Sequence, residues 1–158
     1  MLPIAGRVAE WLARSDGLYQ LLTVTEPVDG SDRAARLPGM VVKAVVMAID
    51  GDYALMVTPA DQPLDWRCLA MKLGASRVRP ASQSEVEQLF PDCDADAVPA
   101  LGLPYGVPLY LSQALREAPQ ILFPVGRCGT MVKMSLAEFE RLAQPCWLDI
   151  TDKPGDGP

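Results

Sequence analysis

The ten-residue run Met40-Val41-Val42-Lys43-Ala44-Val45-Val46-Met47-Ala48-Ile49 constrains the fold of this 158-residue chain more than any other segment. It is the most apolar stretch, and β-branched residues dominate it, so it reads as a strand covered on both faces. Asp50-Gly51 follows as a hairpin turn signal, and Tyr53-Ala54-Leu55-Met56-Val57-Thr58 reads as the returning strand. Lys43 is the run's single charge. Side chains alternate along a strand, so Lys43 shares a face with Val41, Val45, Met47 and Ile49. An ammonium group in that setting loses hydration and must find a partner, reach solvent or line a cavity. Two readings stay open on the residues alone. Lys43 belongs to a site, or it sits on an edge strand with its stem packed and its head in water, where it discourages edge pairing.

The length suits one domain with a core large enough to fold unaided. Apolar residues make up 49% and charged residues 22%, as in soluble globular proteins. No apolar run approaches the length of a membrane span. Arg7, Glu10 and Arg14 interrupt any secretory h-region, so a cytoplasmic protein is expected. The chain has no histidine, which removes His-based triads, His metal sites and histidine general-base chemistry. The four cysteines, Cys68, Cys93, Cys128 and Cys146, contain no C-x-x-C pair. Neither a structural zinc site nor any other metal or cofactor is expected, and the thiols should be free. Cys128 lies in Gly126-Arg127-Cys128-Gly129, where a thiol nucleophile would need a nearby cation; an ordinary packed thiol is the plainer reading. The net charge of −6 argues against general, salt-driven nucleic-acid binding. A local basic patch stands out nevertheless: Arg67, Lys72, Arg77 and Arg79 fall in a stretch without acids. Its plainer reading is a solvated helix face followed by a strand.

Pro3 and Ile4 open an amphipathic helix with Ile4, Val8, Trp11 and Leu12 at helical spacing, ended by Asp16-Gly17. Tyr19 to Val24 reads as a strand, broken by Glu26-Pro27. Ser31 is placed to cap a short helix through Leu37. After the hairpin, Asp65 is placed to cap a helix from Trp66 to Leu73, with Gly74 past its end. Arg77-Val78-Arg79 reads as a short strand. Ser82-Gln83-Ser84-Glu85 has the spacing of a capping box for a helix to about Phe90. A long connection, Pro91 to Pro108, comes next. Pro108 to Leu111 reads as a strand, and Ser112 as the cap of a helix through Glu117. Ile121 to Val125 and Met131 to Met134 read as paired strands. Ser135-Leu136-Ala137-Glu138 has capping-box spacing for a helix to about Ala143. Hairpins and helices interleave irregularly. The expected fold is therefore α+β: a single compact domain, residues 1–148, with a mixed, mostly antiparallel, curved sheet flanked by helices, and a disordered tail over 149–158.

In order and separation, these pieces resemble the YbaK/prolyl-tRNA-synthetase-associated domain family over roughly Tyr19 to Ala143. The stretches that carry the resemblance are Val42-Lys43-Ala44-Val45-Val46, Pro59-Ala60-Asp61-Gln62-Pro63-Leu64-Asp65, Leu89-Phe90-Pro91-Asp92-Cys93, Ala97-Val98-Pro99 and Leu109-Tyr110. The family removes wrong amino acids from tRNA. The resemblance implies that Lys43 projects into the pocket and helps hold the aminoacyl ester of the tRNA 3′ end. The family's G-x-x-x-P loop aligns with Asp96-Ala97-Val98-Pro99-Ala100, where aspartate stands for glycine and alanine for proline. A carboxylate in that place repels a developing oxyanion or binds a substrate amine. Gly126, Cys128 and Gly129 match a small-residue turn of the family.

Histidine is not required for this reaction. An aminoacyl ester is already reactive, and a pocket needs only to orient it, stabilise the oxyanion and admit water. Lys43 supplies the positive charge in this reading, and backbone N–H groups near Ala97-Val98 supply oxyanion contacts. The base is the substrate's own hydroxyl or thiol. The expected function is thus hydrolysis of mischarged aminoacyl-tRNA in trans. The partner is the tRNA 3′ end, met by Arg67, Lys72, Arg77 and Arg79; neither a membrane nor a metal is expected, and a homodimer is left open. The alternative is an inactive binding module of the same fold, for an aminoacyl or nucleotide ligand or for a protein.

Overall fold

The computed structural model describes residues 6–15, 19–23 and 40–150. The apolar run forms β2 (Met40–Ile49) and turns at Asp50-Gly51 into β3 (Asp52–Pro59). Asp50 and Gly51 both have positive φ, 47° and 95°, the geometry a tight hairpin of this kind demands. Four helices are described: α1 (Gly6–Leu12), α2 (Trp66–Leu73), α3 (Gln83–Leu89) and α4 (Leu136–Ala143). The other strands are β1 (Gln20–Thr23), β4 (Val78–Pro80), β5 (Leu109–Ser112), β6 (Gln120–Pro124), β7 (Thr130–Ser135) and β8 (Cys146–Leu148).

The strands join in the order β1-β7-β6-β2-β3-β5-β8, with β4 added to β2. The pairs β1–β7, β2–β3, β2–β4 and β6–β7 are antiparallel; β2–β6, β3–β5 and β5–β8 are parallel. This is the expected mixed, mostly antiparallel sheet. β2 lies inside it, with Thr58 of β3 beside Lys43 on one edge. The edge of β2 away from β3 is shared. β6 borders it at Met40 and Val41, and β4 at Met47 to Ile49. Among the described residues no strand borders Val42 to Val46 on that edge.

Alternation sorts the side chains onto two faces. Val42, Val46, Leu55, Val57, Ile121, Phe123, Val132 and Met134 join the largest core, which α1 and α4 close with Val8, Leu12, Leu136, Phe139 and Leu142. Trp11 Nε1 donates to Leu142 O at 3.0 Å and ties these two helices together. On the opposite face Met47, Ala54 and Met56 pack with Leu69 of α2. Val41, Leu122 and Met131 form a third cluster on that face, with Leu22 and Ala60 against it.

The caps follow the sequence with two exceptions. Asp65 accepts from Arg67 N and Cys68 N, and Gly74 closes α2 at φ 66°. Ser82 and Glu85 form the full capping box of α3. At α4 only half forms: Ser135 Oγ accepts from Glu138 N at 3.1 Å. The Glu138 carboxylate turns instead to Arg141, at 2.7 Å, because a bidentate ion pair outcompetes a single backbone N–H. Ser112 caps no α-helix through Glu117. Its hydroxyl accepts from Ala114 N, and a single 3₁₀ turn, Gln113–Leu115, is all that follows. Pro119 closes off any continuation. The short strand β8 was not expected. The Ser31 helix, the strand end at Val24, the helix start at Pro3 and Ile4, and the tail beyond Ile150 lie outside the described residues.

The long connection contains two 3₁₀ turns, Ala95–Ala97 and Leu103–Tyr105. Gly102 O accepts from Tyr105 N and from Val107 N, each at 3.0 Å. A Cβ on Gly102 would lie 2.1 Å from Val107 O, a backbone atom that cannot swing aside. Gly102→Ala is expected to cost about 2 kcal/mol, a fall in Tm of roughly 4–8 °C on thermal unfolding. An unchanged Tm would mean that the turn has another arrangement. Among the described residues, no helix is long and apolar enough to cross a membrane.

Candidate functional site

Lys43 pairs across β2–β3 with Thr58. It is half-buried, while Thr58 is fully buried and turns its hydroxyl to Pro59 O and Gln62 Oε1, each at 3.2 Å. Its face carries the third cluster at Val41 on one side and the α2 cluster at Met47 on the other. The stem therefore lies between two apolar groups. Among the described residues no carboxylate pairs with its ammonium. A cation so placed lacks the partner that usually offsets lost hydration.

The loop 94–100 runs beside the end of β6. Gly126 N donates to Ala97 O and Asp94 N to Gly126 O, each at 2.8 Å, and Ala100 N donates to Pro124 O at 3.4 Å. Since Val41 lies level with Leu122 in the parallel β2–β6 pair, Pro124 lies level with Lys43 along the strand direction. The loop and the lysine thus share one level of the sheet, where β2 and β6 part. They do not share a face: Val98 and Ala100 sit in the largest core, opposite Lys43. Ala97, Val98, Pro99 and Ala100 are all buried. What the loop offers a ligand is backbone. Ala97 N–H is engaged by Asp94 O, and Ala100 N–H by Pro124 O. Val98 follows directly on the 3₁₀ turn Ala95–Ala97.

Asp94, which sequence reasoning passed over, is the clasp between this loop and the turn after β6. Its carboxylate accepts from Cys128 N at 2.9 Å and lies 3.7 Å from Arg127 Nη1. Gly126 and Gly129 bound that turn at φ 92° and 91°, a conformation that favours glycine. The signal available in the sequence was an aspartate at the entrance of a 3₁₀ turn, too common to single out. Asp96 is exposed, and among the described residues its carboxylate has no hydrogen bond or ion pair. Arg127 Nε is buried without an acceptor.

The cysteines are free: Cys68 is buried, Cys93 half-buried, Cys128 and Cys146 exposed. Burial pushes the Cys128 thiol above its ordinary value, and the carboxylates of Asp94 and Asp96 push it further. It stays a neutral thiol near pH 7, which removes it as a thiolate nucleophile. Burial pushes Cys93 up to about 12, although Tyr105 opposes the shift. Cys93 Sγ lies 3.2 Å from Tyr105 Oη, and that hydroxyl donates to Asp92 Oδ1 at 2.9 Å. Burial works to raise Asp92, but bonds from Arg7 N–H and the Tyr105 hydroxyl outweigh it and hold the carboxyl below its ordinary value. This group anchors the connection to α1, and its thiol is inert.

The basic patch is smaller in space than in sequence. Arg79 Nη1 and Nη2 grip Glu85 at 2.8 and 3.1 Å, and the Tyr53 hydroxyl bonds the same carboxylate. The Arg79 bond and the Ser82 N–H hold Glu85 well below the ordinary carboxylate range. Arg79 is therefore not a free cation. Arg67, Lys72 and Arg77 are exposed, and among the described residues no carboxylate pairs with them. A shallow cavity of about 250 Å³ lies beside Arg77 and Arg79 at the β2–β3 turn, lined also by Ala48, Asp50, Gly51 and Tyr53. Lys43 does not line it, so shape alone does not mark the site. The uncommitted charges do, and they are the stronger guide to chemistry. No group of metal-binding side chains occurs among the described residues.

A profile of the aminoacyl-tRNA editing domain family matches residues 25–142. No curated protein matches the sequence. A candidate trans-editing enzyme for prolyl tRNA synthetase has the same fold, with a TM-score of 0.79 at 20% identity, covering 97% of this chain and 99% of the other. A scaffold protein from computational epitope grafting matches at 0.79 and 21% identity over the same shares. A hypothetical protein matches at 0.76 and 22% identity, over 90% of this chain and 97% of its own. At these identities the structures establish the fold alone.

Proposed function

The chain belongs to the aminoacyl-tRNA editing domain family, and from that membership we propose that it hydrolyses the ester of mischarged aminoacyl-tRNA in trans, with Lys43 as the catalytic cation. The observation that carries the reading is the half-buried ammonium of Lys43 on β2, between two apolar clusters and without an ion pair among the described residues. A fixed positive charge there stabilises negative charge developing on the ester carbonyl, or holds the terminal phosphate, at a strength water would not allow. Water attacks the acyl carbon, the ester C–O bond breaks, and the ribose oxygen leaves with a proton. The base is the substrate's own hydroxyl or thiol, since no histidine is available.

The RNA strand is held, in this reading, by Arg67, Lys72 and Arg77. Arg77 N bonds the Asp50 carboxylate, and Asp50 lies seven residues beyond Lys43, just past the end of β2, roughly 23 Å at strand rise. Arg77 and the reacting ester are thus far apart, and the RNA bridges them. The test is ester loss from tRNA charged separately with alanine, cysteine, serine and proline. Turnover on at least one is expected. The triple variant Arg67→Glu, Lys72→Glu, Arg77→Glu should raise KM about tenfold or more and flatten the salt dependence, with kcat unchanged. No turnover on any charged tRNA would overturn the deacylase reading in favour of a binding module.

A further inference from the structure

We infer that Asp96 selects substrates with a free α-ammonium group, so that the loop clasped by Asp94 receives the amino acid and not the RNA. The inference rests on the deacylase reading for its substrate class, and it goes beyond it by fixing which end of that substrate meets which charges.

The clasp leaves unmatched groups beside it. Asp94 is engaged by Cys128 N and Arg127. Asp96, two residues on, is an exposed carboxylate with no cation among the described residues. It is rigidly carried, because the next residue is buried and holds Gly126 N through its carbonyl. Its field reaches the opposite loop, where it helps keep the Cys128 thiol neutral. One donor nearby lacks an acceptor among the described residues, the buried Nε of Arg127. A buried donor left unsatisfied is costly, and an oxygen-bearing ligand removes that cost.

One carboxylate without a cation, near a donor without an acceptor, is the complement of an α-amino ester. The ammonium meets Asp96, and the carbonyl oxygen meets Arg127 Nε. RNA phosphates are repelled from the same loop, since the carboxylate there has no counter-ion among the described residues. On an aminoacylated RNA end at neutral pH the α-amine is the cation held next to the ester. The departure from glycine at position 96 therefore adds a contact and does not simply remove one.

The experiment uses the full chain and non-hydrolysable 3′-aminoacylamino-adenosine amides, one with a free amine and one N-acetylated, titrated by calorimetry. Ester hydrolysis of free and N-acetylated alanyl-tRNA is measured beside them. Wild type should bind the free amine about tenfold more tightly, one charge pair's worth in Kd. Asp96→Asn and Asp96→Gly should each weaken the free-amine ligand by that factor and leave the acetylated one unchanged. Both variants should keep the wild-type Tm, because Asp96 is exposed. Equal binding of the two ligands by wild type, or equal weakening of both by the variants, overturns the inference. Hydrolysis that ignores acetylation overturns it and leaves the deacylase reading standing. A binding gap without any hydrolysis supports it and overturns the deacylase reading. If neither ligand binds, both are overturned.

Discussion

Lys43→Ala should lower kcat/KM for ester hydrolysis on charged tRNA by roughly 10²–10³-fold, the usual cost of removing one preorganised charge-stabilising group. The loss should appear in single-turnover rates, where product release does not contribute. Stability should move little. The lysine is half-buried and forms no ion pair among the described residues, so its removal breaks no partner's bond. Its stem does cover apolar surface, and Lys43→Met keeps that cover without the charge. Lys43→Met should therefore match Lys43→Ala in rate and wild type in Tm. Equal turnover in wild type and both variants would remove Lys43 from the chemistry.

Phe123→Ala should destabilise the fold by about 3–5 kcal/mol. Phe123 is fully buried, and its ring meets Phe139 of α4 edge-on, with centroids 5.3 Å apart. Truncation leaves a cavity between β6 and α4 that neither element can close alone. The midpoint of urea unfolding should fall at unchanged slope, which separates lost stability from a changed unfolded state. Phe123 also directly precedes Pro124, whose carbonyl receives Ala100 N–H. Hydrogen exchange at Ala100 should accelerate in the variant. A loss below about 1 kcal/mol would mean that the core collapses onto the gap.

How much of this was readable without coordinates depended on the range of the contacts involved. The β2–β3 hairpin was readable because its turn chemistry and apolar runs are contiguous. The α2 caps were readable for the same reason, as Asp65 and Gly74 act within one turn. The parallel pairs were not, since nothing local to Met40 names Ile121 as its neighbour. β8, three residues from Cys146 to Leu148, is too short to show an alternation. Glu138 and Arg79 were misjudged because each had two possible partners, and geometry chose Arg141 and Glu85. At the site, Lys43 was visible as a charge among apolar residues. Its central place in the sheet was not, and neither was the clasp formed by Asp94, whose partners lie more than thirty residues away.

The sheet order also sets a timetable for the growing chain. Among the described residues β1 pairs with β7 alone, Gln20 to Thr23 against Lys133 to Thr130. Trp11 likewise waits for Leu142. A segment made before β2 is thus among the last to dock, and its apolar residues stay uncovered until β7 and α4 have been made. Non-local pairing of this kind slows folding and prolongs exposure to aggregation. The hairpin of β2 and β3 needs no such wait. Nascent chains stalled at successive lengths should protect the amides of Val45 to Met56 long before those of Gln20 to Thr23.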